Sequence, residues 1–516
     1  MLMPFRNEPF TNFETDAARE AMRLALEQVK QELGRTYPLV IGGKQIHTDD
    51  LSQSINPARP DEIIGMFAKA TTEHADQAVR AAHWVFDEWR HVPAAERANY
   101  LFRAAASMRR RKYEFAAWLV YEVSKSWVEA DADVAEAIDF MEYYGREMLR
   151  LAAPQPVVPV PDEDNALRYI PLGVGVVIPP WNFPLAIMAG MTTAAIVAGN
   201  TVVLKPASAS PTIAAKFVEL LNDECALPPG VLNFVPGPGG AMGDALVDHP
   251  LTRFIAFTGS KEVGLRIFER AARRQPGQNW LKRTLLEMGG KDAIVVDETA
   301  DLDLAAEAIT FSAFGFQGQK CSACSRAIVV ESVYDELLEK VVELSRTLTI
   351  GDPADPNTFM GAVIDKNAWT KIREYIDIGR AEGRIVLGGE TQEGGGYFIP
   401  PTIVADVDPE ARLACEEIFG PVLAFVKARD FEQAVEIFNG TEYGLTGGLI
   451  SRDRMRLEQA REDFHVGNLY LNRKITGALV GVQPFGGFNM SGTDSKAGGP
   501  DYLLLFTQAK VITERY

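Results

Sequence analysis

The alternation of apolar runs with helical segments after Gly173 constrains the fold of this 516-residue chain more than any other feature of its sequence. Strands and helices are predicted in turn over Val174–Ile178, Ala186–Ala198, Thr201–Leu204, Thr212–Asn222, Val231–Val235 and Arg253–Phe257. Strands that alternate with helices form a mostly parallel sheet with helices on both faces. A second run of this kind starts at Ala293 and ends near Asn472. The sequence therefore predicts an α/β fold.

The region before Gly173 has a different pattern. Residues 15–34 predict a charged helix, the segment from Tyr37 predicts a hairpin, and residues 73–151 predict a largely helical region. Four prolines between residues 152 and 161 end the last helix and begin an extended arm.

Charge and hydropathy argue against two classes of partner. Acidic residues outnumber basic residues by 70 to 52, which makes the formal net charge −18. A nucleic-acid binder needs a basic face, so we expect no nucleic-acid partner. The stretch between Arg168 and Lys205 carries no charge, but prolines and asparagines divide it into pieces too short to cross a membrane. Met1–Phe10 also lacks the apolar core of a secretory signal, and we expect no membrane partner.

The four cysteines are Cys225, Cys321, Cys324 and Cys415. They are too few for a disulfide scaffold, which predicts a reducing compartment and a cytoplasmic location. Two of them form the Cys-x-x-Cys pair of Phe316–Cys324. This spacing suits a redox dithiol or half a zinc site, but no nearby His or Cys completes a zinc site, so we expect no metal.

The residues around Cys321 suit a helix start. There the helix dipole and backbone N–H groups lower a thiol pKa below its reference of about 8.5 and make the thiol a better nucleophile. A buried, inert cysteine is equally compatible with the motif. The residues alone leave both interpretations open.

Two further motifs hold candidate catalytic side chains. Glu287 lies in Leu286–Lys291 beside a diglycine, whose backbone can approach a ligand closely. An isolated glutamate before a turn is nevertheless more typical of a surface position. Asn182 lies between prolines in Ile178–Pro184, on a predicted strand-to-helix turn. Its amide suits donation to an oxyanion, or a cap on the following helix.

Two predicted strand ends suggest a ligand site. Lys205 follows a parallel strand, whose carboxyl end faces the crevice where such sheets bind ligands. Phe257–Gly264 is a strand that ends in Gly-Ser before a helix, and the N–H groups there suit a pyrophosphate. Neither a G-x-G-x-x-G fingerprint nor a P-loop occurs at a strand-to-helix turn, so any dinucleotide site is non-standard.

These motifs have the order and spacing of the aldehyde dehydrogenase superfamily, which the sequence resembles from about residue 37 to its end. The matching blocks are Pro180–Pro184, Lys205–Ala207, Phe257–Ser260, Leu286–Lys291, Gly318–Cys321, Glu416–Pro421 and Pro484–Gly487. The resemblance implies a Rossmann-like NAD(P)-binding domain (1–152 and 175–287) and an α/β catalytic domain (288–495). It also implies a β-arm (153–174 and 496–516) that pairs with a neighbour in a homo-oligomer.

The resemblance implies roles for the candidate catalytic residues. Cys321 attacks the aldehyde, the resulting thiohemiacetal loses hydride to the nicotinamide, and the thioester is hydrolysed. The Cys321 N–H and the Asn182 amide hold the oxyanion. Glu287 is the general base for the hydrolytic water.

The implied cofactor site consists of Trp181, Lys205, Ser208, Gly259, Ser260, Glu417 and Phe419. By resemblance, Lys205 binds the adenosine ribose, Ser260 the pyrophosphate and Glu417 the nicotinamide ribose. Phe419 packs by the nicotinamide. Many NAD-preferring members have an acidic residue three positions after the lysine, which repels a 2′-phosphate, and this chain has Ser208 there. NAD is the expected cofactor, and NADP stays open.

Three blocks resemble the subfamily that oxidises L-glutamate γ-semialdehyde, the open form of 1-pyrroline-5-carboxylate, in proline catabolism. They are Asp131–Tyr144, Gly315–Ser322 and Asn472–Pro484. The implied substrate-binding residues are Glu136, Phe183, Ser322, Gly477, Ala478 and Phe485. By resemblance, Ser322 and two backbone N–H groups bind the α-carboxylate, and the two phenylalanines flank the aliphatic chain. Glu136 binds the α-ammonium group through water, although on its own it suits a solvated helix face.

Other functions stay open at this stage. An enzyme for another semialdehyde or an aliphatic aldehyde fits the same motifs. A non-catalytic protein on this scaffold would have lost Cys321, Glu287 or Asn182, and a coenzyme A-dependent enzyme typically lacks the glutamate, so both are disfavoured. The 516 residues leave no room for the barrel domain of a bifunctional proline-oxidising enzyme, so proline dehydrogenase activity is expected in a separate protein.

Overall fold

The computed structural model describes residues 3–390 and 394–516. Its α-helices are α1 Asp16–Lys30, α2 Thr72–Trp89, α3 Ala94–Arg110, α4 Lys112–Val123, α5 Trp127–Ala152, α6 Ala186–Val197, α7 Pro211–Glu219, α8 Ala241–Asp248, α9 Lys261–Ala272, α10 Leu302–Phe314, α11 Tyr334–Arg346, α12 Lys366–Glu382, α13 Arg412–Cys415, α14 Phe431–Asn439 and α15 Arg454–Asp463. Its strands are β1 Arg35–Tyr37, β2 Leu39–Ile41, β3 Lys44–Ile46, β4 Leu51–Asn56, β5 Arg59–Ala68, β6 Glu163–Pro171, β7 Val174–Ile178, β8 Thr201–Leu204, β9 Leu232–Phe234, β10 Thr252–Thr258, β11 Arg283–Glu287, β12 Ala293–Val296, β13 Arg326–Val330, β14 Arg384–Leu387, β15 Thr402–Ala405, β16 Val422–Ala428, β17 Tyr443–Gly444, β18 Thr446–Ile450, β19 Asn468–Leu471, β20 Phe488–Asn489 and β21 Thr507–Arg515.

The first large sheet accounts for the apolar runs before residue 290. Its strands run in the order β11-β10-β7-β8-β9-β2-β3, and those from β11 to β9 pair in parallel. Val176 and Val203 pack in a core cluster with α2, whereas Val177 and Leu204 pack on the other face in a cluster with α6. Because both faces are covered, β7 and β8 are almost wholly apolar. At the far edge, β2 and β3 form the predicted antiparallel hairpin.

A second large sheet lies within the second alternating run. Its order is β14-β15-β16-β13-β12-β18-β19, and only the edge pair of β14 with β15 is antiparallel. β12, β13 and β18 are buried along their whole length. This sheet is a second α/β layer, as the pattern from Ala293 to Asn472 predicts. A smaller sheet, β1-β5-β4, lies outside both.

The parallel strands of the first sheet end at one edge, and the candidate site residues follow them there. Asn182 lies in the loop after β7, Lys205 directly follows β8, and Gly259 directly follows β10. Glu287 is the last residue of β11. Ligands bind at this edge in open parallel sheets because the strand-to-helix loops leave a crevice there.

The long helix α5 packs against α3 and α6 and is held from outside by the N-terminal segment. Asp131 accepts hydrogen bonds from the Thr11 N–H (2.8 Å) and hydroxyl (2.5 Å). Asp139 accepts hydrogen bonds from the Asn7 amide and the Glu8 N–H, both at 2.7 Å. These contacts anchor the helix that carries Glu136.

The predicted arm is a two-stranded ribbon. β6 and β21 pair antiparallel from Glu163 with Arg515 to Pro171 with Thr507, and most of β21 is exposed. The partner strand of β6 therefore comes from the same chain. Pairing with a neighbouring subunit, and the domain boundaries implied by the resemblance, stay predictions.

Two predicted helices differ from their expected bounds. The helix expected over residues 15–34 begins at Asp16 and ends at Lys30. The helix expected over Thr212–Asn222 starts at Pro211, a residue that suits the first helical position, and changes to a π-helical turn over Leu220–Glu224. None of the helices in the described part of the chain has the length and apolar content needed to cross a membrane.

Candidate active site

Two cavities meet at Cys321. The narrow cavity, of about 120 Å³, reaches from Cys321 past Glu287 to Glu136 and Tyr144. The wide cavity, of about 410 Å³, runs from Cys321 along the carboxyl edge of the first sheet. The residues that line both are Phe257, Thr258, Met288 and Cys321. The sulfur is therefore the point at which ligands in the two cavities would meet.

The loop before Cys321 is strained and firmly held. Phe316, Gln317 and Gly318 follow α10 in the left-handed region, with φ of 50°, 58° and 67°. Two consecutive non-glycine residues there cost free energy, which surrounding contacts must offset. The Gln317 amide donates to two carbonyls, at 3.2 and 2.8 Å, and the Gln319 side chain accepts from the Ile364 N–H at 2.9 Å. The loop thereby fixes the position of the thiol.

The prediction that Cys321 lies at a helix start is wrong. Cys321 lies in a turn after a short 3₁₀ segment, so no helix N-terminus faces its sulfur. The pKa of the thiol is raised above its usual range, first by burial and then by the carboxylates of Asp292, Glu417 and Glu287. The cysteine is therefore a neutral thiol at pH 7 and needs a proton acceptor to become a nucleophile.

The second cysteine of the pair has a different environment. Cys324 is 1% exposed, and its Sγ lies 3.3 Å from the carbonyl of Arg326 as a donor. It packs in the core of the second sheet and lines neither the narrow nor the wide cavity. Its burial fits a structural cysteine.

Asn182 is buried and its amide Nδ2 donates to the Gln319 carbonyl at 3.0 Å. The side chain therefore points at the Cys321 loop and does not cap α6. The cap interaction comes from α5, where Asp133 accepts from the Ala186 N–H at 2.7 Å. Asn182 lines the wide cavity together with Cys321, which is the placement that an oxyanion donor requires.

Glu287 is held at the end of β11 by the loop that follows Pro484. Its Oε1 accepts from the Ser495 hydroxyl and N–H, and its Oε2 accepts from the Gly487 N–H at 3.3 Å. Burial raises its pKa to about 7, although these hydrogen bonds act in the opposite direction. A carboxyl with that pKa exchanges protons readily near neutrality, as a general base must.

The wide cavity gathers most of the predicted cofactor residues. Those that line it are Trp181, Gly259, Ser260, Glu417 and Phe419. Ser260 caps α9, whose N-terminus opens to solvent beside it. The Glu417 carboxylate accepts from the Gly290 N–H at 3.0 Å, and the Phe419 ring meets Trp181 edge to face with centroids 5.4 Å apart. A Cβ at Gly289 would lie 2.3 Å from Glu417 Oε2, so a side chain there would force this carboxylate to move.

Two predicted cofactor residues lie outside this lining. Lys205 is buried with its ammonium 3.2 Å from the Pro206 carbonyl, and burial lowers its pKa to about 8. Ser208 is exposed beyond the end of β8. Ala207, which lies between them in the chain, does line the cavity.

The narrow cavity brings together all the predicted substrate residues. Its lining includes Glu136, Phe183, Ser322, Gly477, Ala478 and Phe485. Gly477 has φ of +78°, a conformation that favours glycine. Burial, and then the charge of Asp133, raises the pKa of Glu136 to about 8. This carboxyl is therefore largely protonated at pH 7 unless a positive charge binds beside it.

The aldehyde dehydrogenase family profile matches residues 46–512. The chain belongs to the aldehyde dehydrogenase family. This confirms the resemblance and the α/β fold expected from it.

Relatives matched over their full length show which members of the family this aldehyde dehydrogenase resembles. It is 63% identical over all 516 residues to 1-pyrroline-5-carboxylate dehydrogenase of Geobacillus kaustophilus, which it also covers completely. It is 54% identical to 1-pyrroline-5-carboxylate dehydrogenase from Thermus, solved with bound NAD, with a TM-score of 0.98 and complete coverage of both chains. Proline utilization A from Bdellovibrio bacteriovorus is 46% identical with a TM-score of 0.98, over 99% of this chain and 53% of that one.

Sequence reasoning missed the charges behind the narrow cavity of this aldehyde dehydrogenase. Lys125 and Asp133 form a fully buried ion pair at 2.8 Å, and the ammonium lies 3.9 Å from the Phe183 ring centroid. Lys320, beside the nucleophile, pairs with Glu129 at 2.6 Å. Glu129, Asp133 and Glu136 recur at helical spacing along α5, so their shared face was a readable signal. No signal in the sequence indicated that Lys320 pairs with Glu129 or that Lys125 pairs with Asp133.

Proposed function

We propose that this aldehyde dehydrogenase oxidises L-glutamate γ-semialdehyde, formed from 1-pyrroline-5-carboxylate, to L-glutamate in proline catabolism with NAD. One observation carries the proposal. The Ser322 hydroxyl, the backbone of Gly477 and Ala478, and the Glu136 carboxyl line the same narrow cavity that ends at the thiol of Cys321. A substrate with an aldehyde at one end and an amino acid at the other satisfies both ends. The names of the full-length relatives support the same substrate.

At the reacting end, the Cys321 thiol would release its proton to solvent water, and the sulfur would attack the aldehyde carbon to form a carbon–sulfur bond. The carbonyl oxygen becomes an oxyanion, which the Asn182 amide and the Cys321 N–H stabilise. A bound NAD would supply the hydride acceptor for this carbon, and loss of the hydride would leave a thioester on Cys321. Glu287 then takes a proton from water as the water attacks the thioester. The carbon–sulfur bond breaks, and L-glutamate and the free thiolate are released.

The wide cavity has the form that a dinucleotide requires. The open N-terminus of α9 with Ser260 would receive the pyrophosphate, since helix N–H groups favour anions. Glu417 offers carboxylate oxygens to ribose hydroxyls, and Phe419 a ring face toward the nicotinamide. Lys205 would bind the adenosine ribose at the far end. No acidic side chain occupies the position of Ser208, so NADP is a possible second cofactor.

In the narrow cavity, Ser322 and the N–H groups of Gly477 and Ala478 would bind the substrate α-carboxylate. Glu136 would face the α-ammonium group through water. The bound cation would stabilise the charged carboxylate and bring the Glu136 pKa back down. Phe183 and Phe485 would pack on the aliphatic chain.

We also propose an oligomeric state and a cellular location. The exposed ribbon of β6 and β21 suits an arm that pairs with a second copy of this chain in a homo-oligomer. The four free cysteines suit the reducing cytoplasm.

Steady-state kinetics with pyrroline-5-carboxylate, pentanal and both cofactors tests this proposal. We expect a far higher kcat/KM for the amino-acid aldehyde, because a site built to hydrogen-bond a carboxylate leaves its polar groups unpaired with pentanal. Equal efficiency on the two aldehydes would reject the substrate assignment. It would leave the assignment to the family intact.

A further inference from the structure

We infer that Ser495 is a positioning residue for Glu287: its hydroxyl holds the carboxylate beside the thiol and favours the charged form that takes the proton. The inference rests on the proposed role of Glu287 as general base. Ser495 lies 208 residues further along the chain, eight residues after the Pro484–Gly487 block. Nothing in its immediate sequence marks it as part of the reaction.

The contact is short and enclosed. The Ser495 Oγ donates to Glu287 Oε1 at 2.5 Å, and the Ser495 N–H approaches the same oxygen at 3.4 Å. A hydrogen bond to an ionised carboxylate is stronger than one between neutral groups. Gly486 lies against the same carboxylate. A Cβ at this position would be 3.1 Å from Glu287 Oε1 and 2.7 Å from the backbone nitrogen of Lys496. The other oxygen, Oε2, accepts from the Gly487 N–H at 3.3 Å, so this loop holds both oxygens of the carboxylate.

Ser495 has no competing role in the described structure. It is 5% exposed and lines the narrow cavity with Glu287 and Cys321. In residues 3–390 and 394–516, its hydroxyl makes no hydrogen bond other than the one to Glu287. Removal of the hydroxyl would leave the packing of the loop in place and change chiefly the carboxylate.

Three titratable groups face Glu287, and the Gly487 N–H also donates to its Oε2 at 3.3 Å. The Lys496 ammonium favours the ionised carboxylate, but it is held by the carbonyls of Gly467 and Gly486 at 2.8 and 2.7 Å. The Cys321 thiol and the Tyr502 hydroxyl also face it, and both are neutral near pH 7. None of these groups replaces the serine donor directly.

The sign of the effect follows from the geometry. Burial raises the pKa of Glu287 to about 7, and the serine hydrogen bond opposes that rise. Without the hydroxyl, the pKa rises further and the carboxyl is protonated over more of the neutral range. A protonated carboxyl cannot take a proton from water, so thioester hydrolysis slows at neutral pH and recovers at higher pH.

The test compares Ser495→Ala with Thr493→Ala in the full-length enzyme. Thr493 is a matched control, because its Oγ1 accepts from the backbone N–H of Leu286 at 3.0 Å, beside Glu287 but without touching it. The NADH burst and kcat are measured with saturating L-glutamate γ-semialdehyde between about pH 6 and about pH 10. For Ser495→Ala we expect a preserved burst and an acidic limb of kcat moved up by about one pH unit. We expect no movement for Thr493→Ala.

A limb that stays in place, or a loss of kcat that is equal at every pH, would overturn the inference. So would an equal shift in the Thr493 variant, because the effect would then belong to the loop. Failure of the proposed function has a different signature. If Glu287→Gln turns over at the wild-type rate, Glu287 is not the general base, whatever Ser495→Ala does.

Discussion

The wide and narrow cavities share the thiol of Cys321 but are lined by different kinds of residue. Strand ends, glycines and aromatic rings make up most of the wide cavity, with Glu417 as the one carboxyl group among the described residues that line it. The narrow cavity has buried carboxyl groups in its walls, and its pKa values depart far from solution values at Glu136 and Glu287. Backbone geometry at a sheet edge suits a cofactor common to many enzymes. Charged groups in an enclosed cavity suit the recognition of one particular substrate.

The carboxyl groups of the narrow cavity also carry a free-energy cost of burial. A carboxyl group that leaves water without a partner is costly, and a fold keeps it only where a ligand or reaction uses it. Glu136 has no ion-pair partner among the described residues, whereas the neighbouring Asp133 is neutralised by Lys125. Glu136 is thus left available to a positive charge. The substrate side should therefore be the more sensitive to single substitutions.

The largest expected effect is at the point where the cavities meet. Cys321→Ala should abolish aldehyde oxidation, because no other thiol lines both cavities in the described residues, while NAD binding persists. Activity assays and NAD titration by fluorescence measure the two properties. Cys324→Ala is the control and should retain most activity, since its sulfur lies in the core. The reverse result would move the nucleophile to Cys324.

The Glu287→Gln variant should still form NADH and the thioester, but it should hydrolyse the thioester slowly. We expect a burst of NADH near one per active site, then turnover slowed by roughly 10²–10⁴-fold, the usual contribution of a general base. Rapid mixing with saturating substrate resolves the two phases. A variant with no burst and unchanged turnover would remove Glu287 from the hydrolytic step.

Ser322→Ala should separate the two kinds of aldehyde. Loss of one carboxylate donor is expected to cost about 1–3 kcal/mol in kcat/KM for L-glutamate γ-semialdehyde and to leave pentanal almost unaffected. Ser325→Ala is a matched control, because its hydroxyl donates to the Asp292 carbonyl at 3.3 Å and does not line the narrow cavity. A similar loss with both aldehydes would point to a disturbed nucleophile loop instead.

The smallest effect is expected at the edge of the wide cavity. Ser208→Asp should weaken use of NADP by about 1 kcal/mol, because an exposed like charge near a 2′-phosphate is strongly screened. NAD kinetics should stay unchanged. Ser208→Asn, of the same size without the charge, is the comparison, and kcat/KM for the two cofactors is the measurement. An equal loss with NAD would show that the residue acts through shape.

Much of this arrangement was predictable from residues alone. Parallel strands buried on both faces are apolar along their length, so β7, β8 and β12 stand out as short runs between helices. The end of such a strand is also the edge at which ligands bind, so position in the chain is enough to single out Lys205. Glu287 was singled out by the family resemblance, because no strand ending there was predicted. Family membership and the α/β fold followed from these blocks and were confirmed.

Protonation could not be predicted in this way. The sequence around Cys321 suggested a helix start and a lowered thiol pKa, whereas burial among carboxylates raises it. That result depends on Asp292, Glu287 and Glu417, which lie 29, 34 and 96 positions away in the chain. A pKa reports the three-dimensional environment of a group, and the neighbours in the chain are only a small part of it.

The sequence by itself determined the α/β layering, the order of the motifs and the types of side chain available to the site. Only the tertiary structure decided which of them meet: Ser495 with Glu287, Asn182 with the Gln319 carbonyl, and Lys125 with Phe183. The physical reason is that periodicity and strand ends are local properties of the chain, readable over a few residues. Desolvation, ion pairing and hydrogen bonding at the site arise between segments that are brought together only when both sheets have packed.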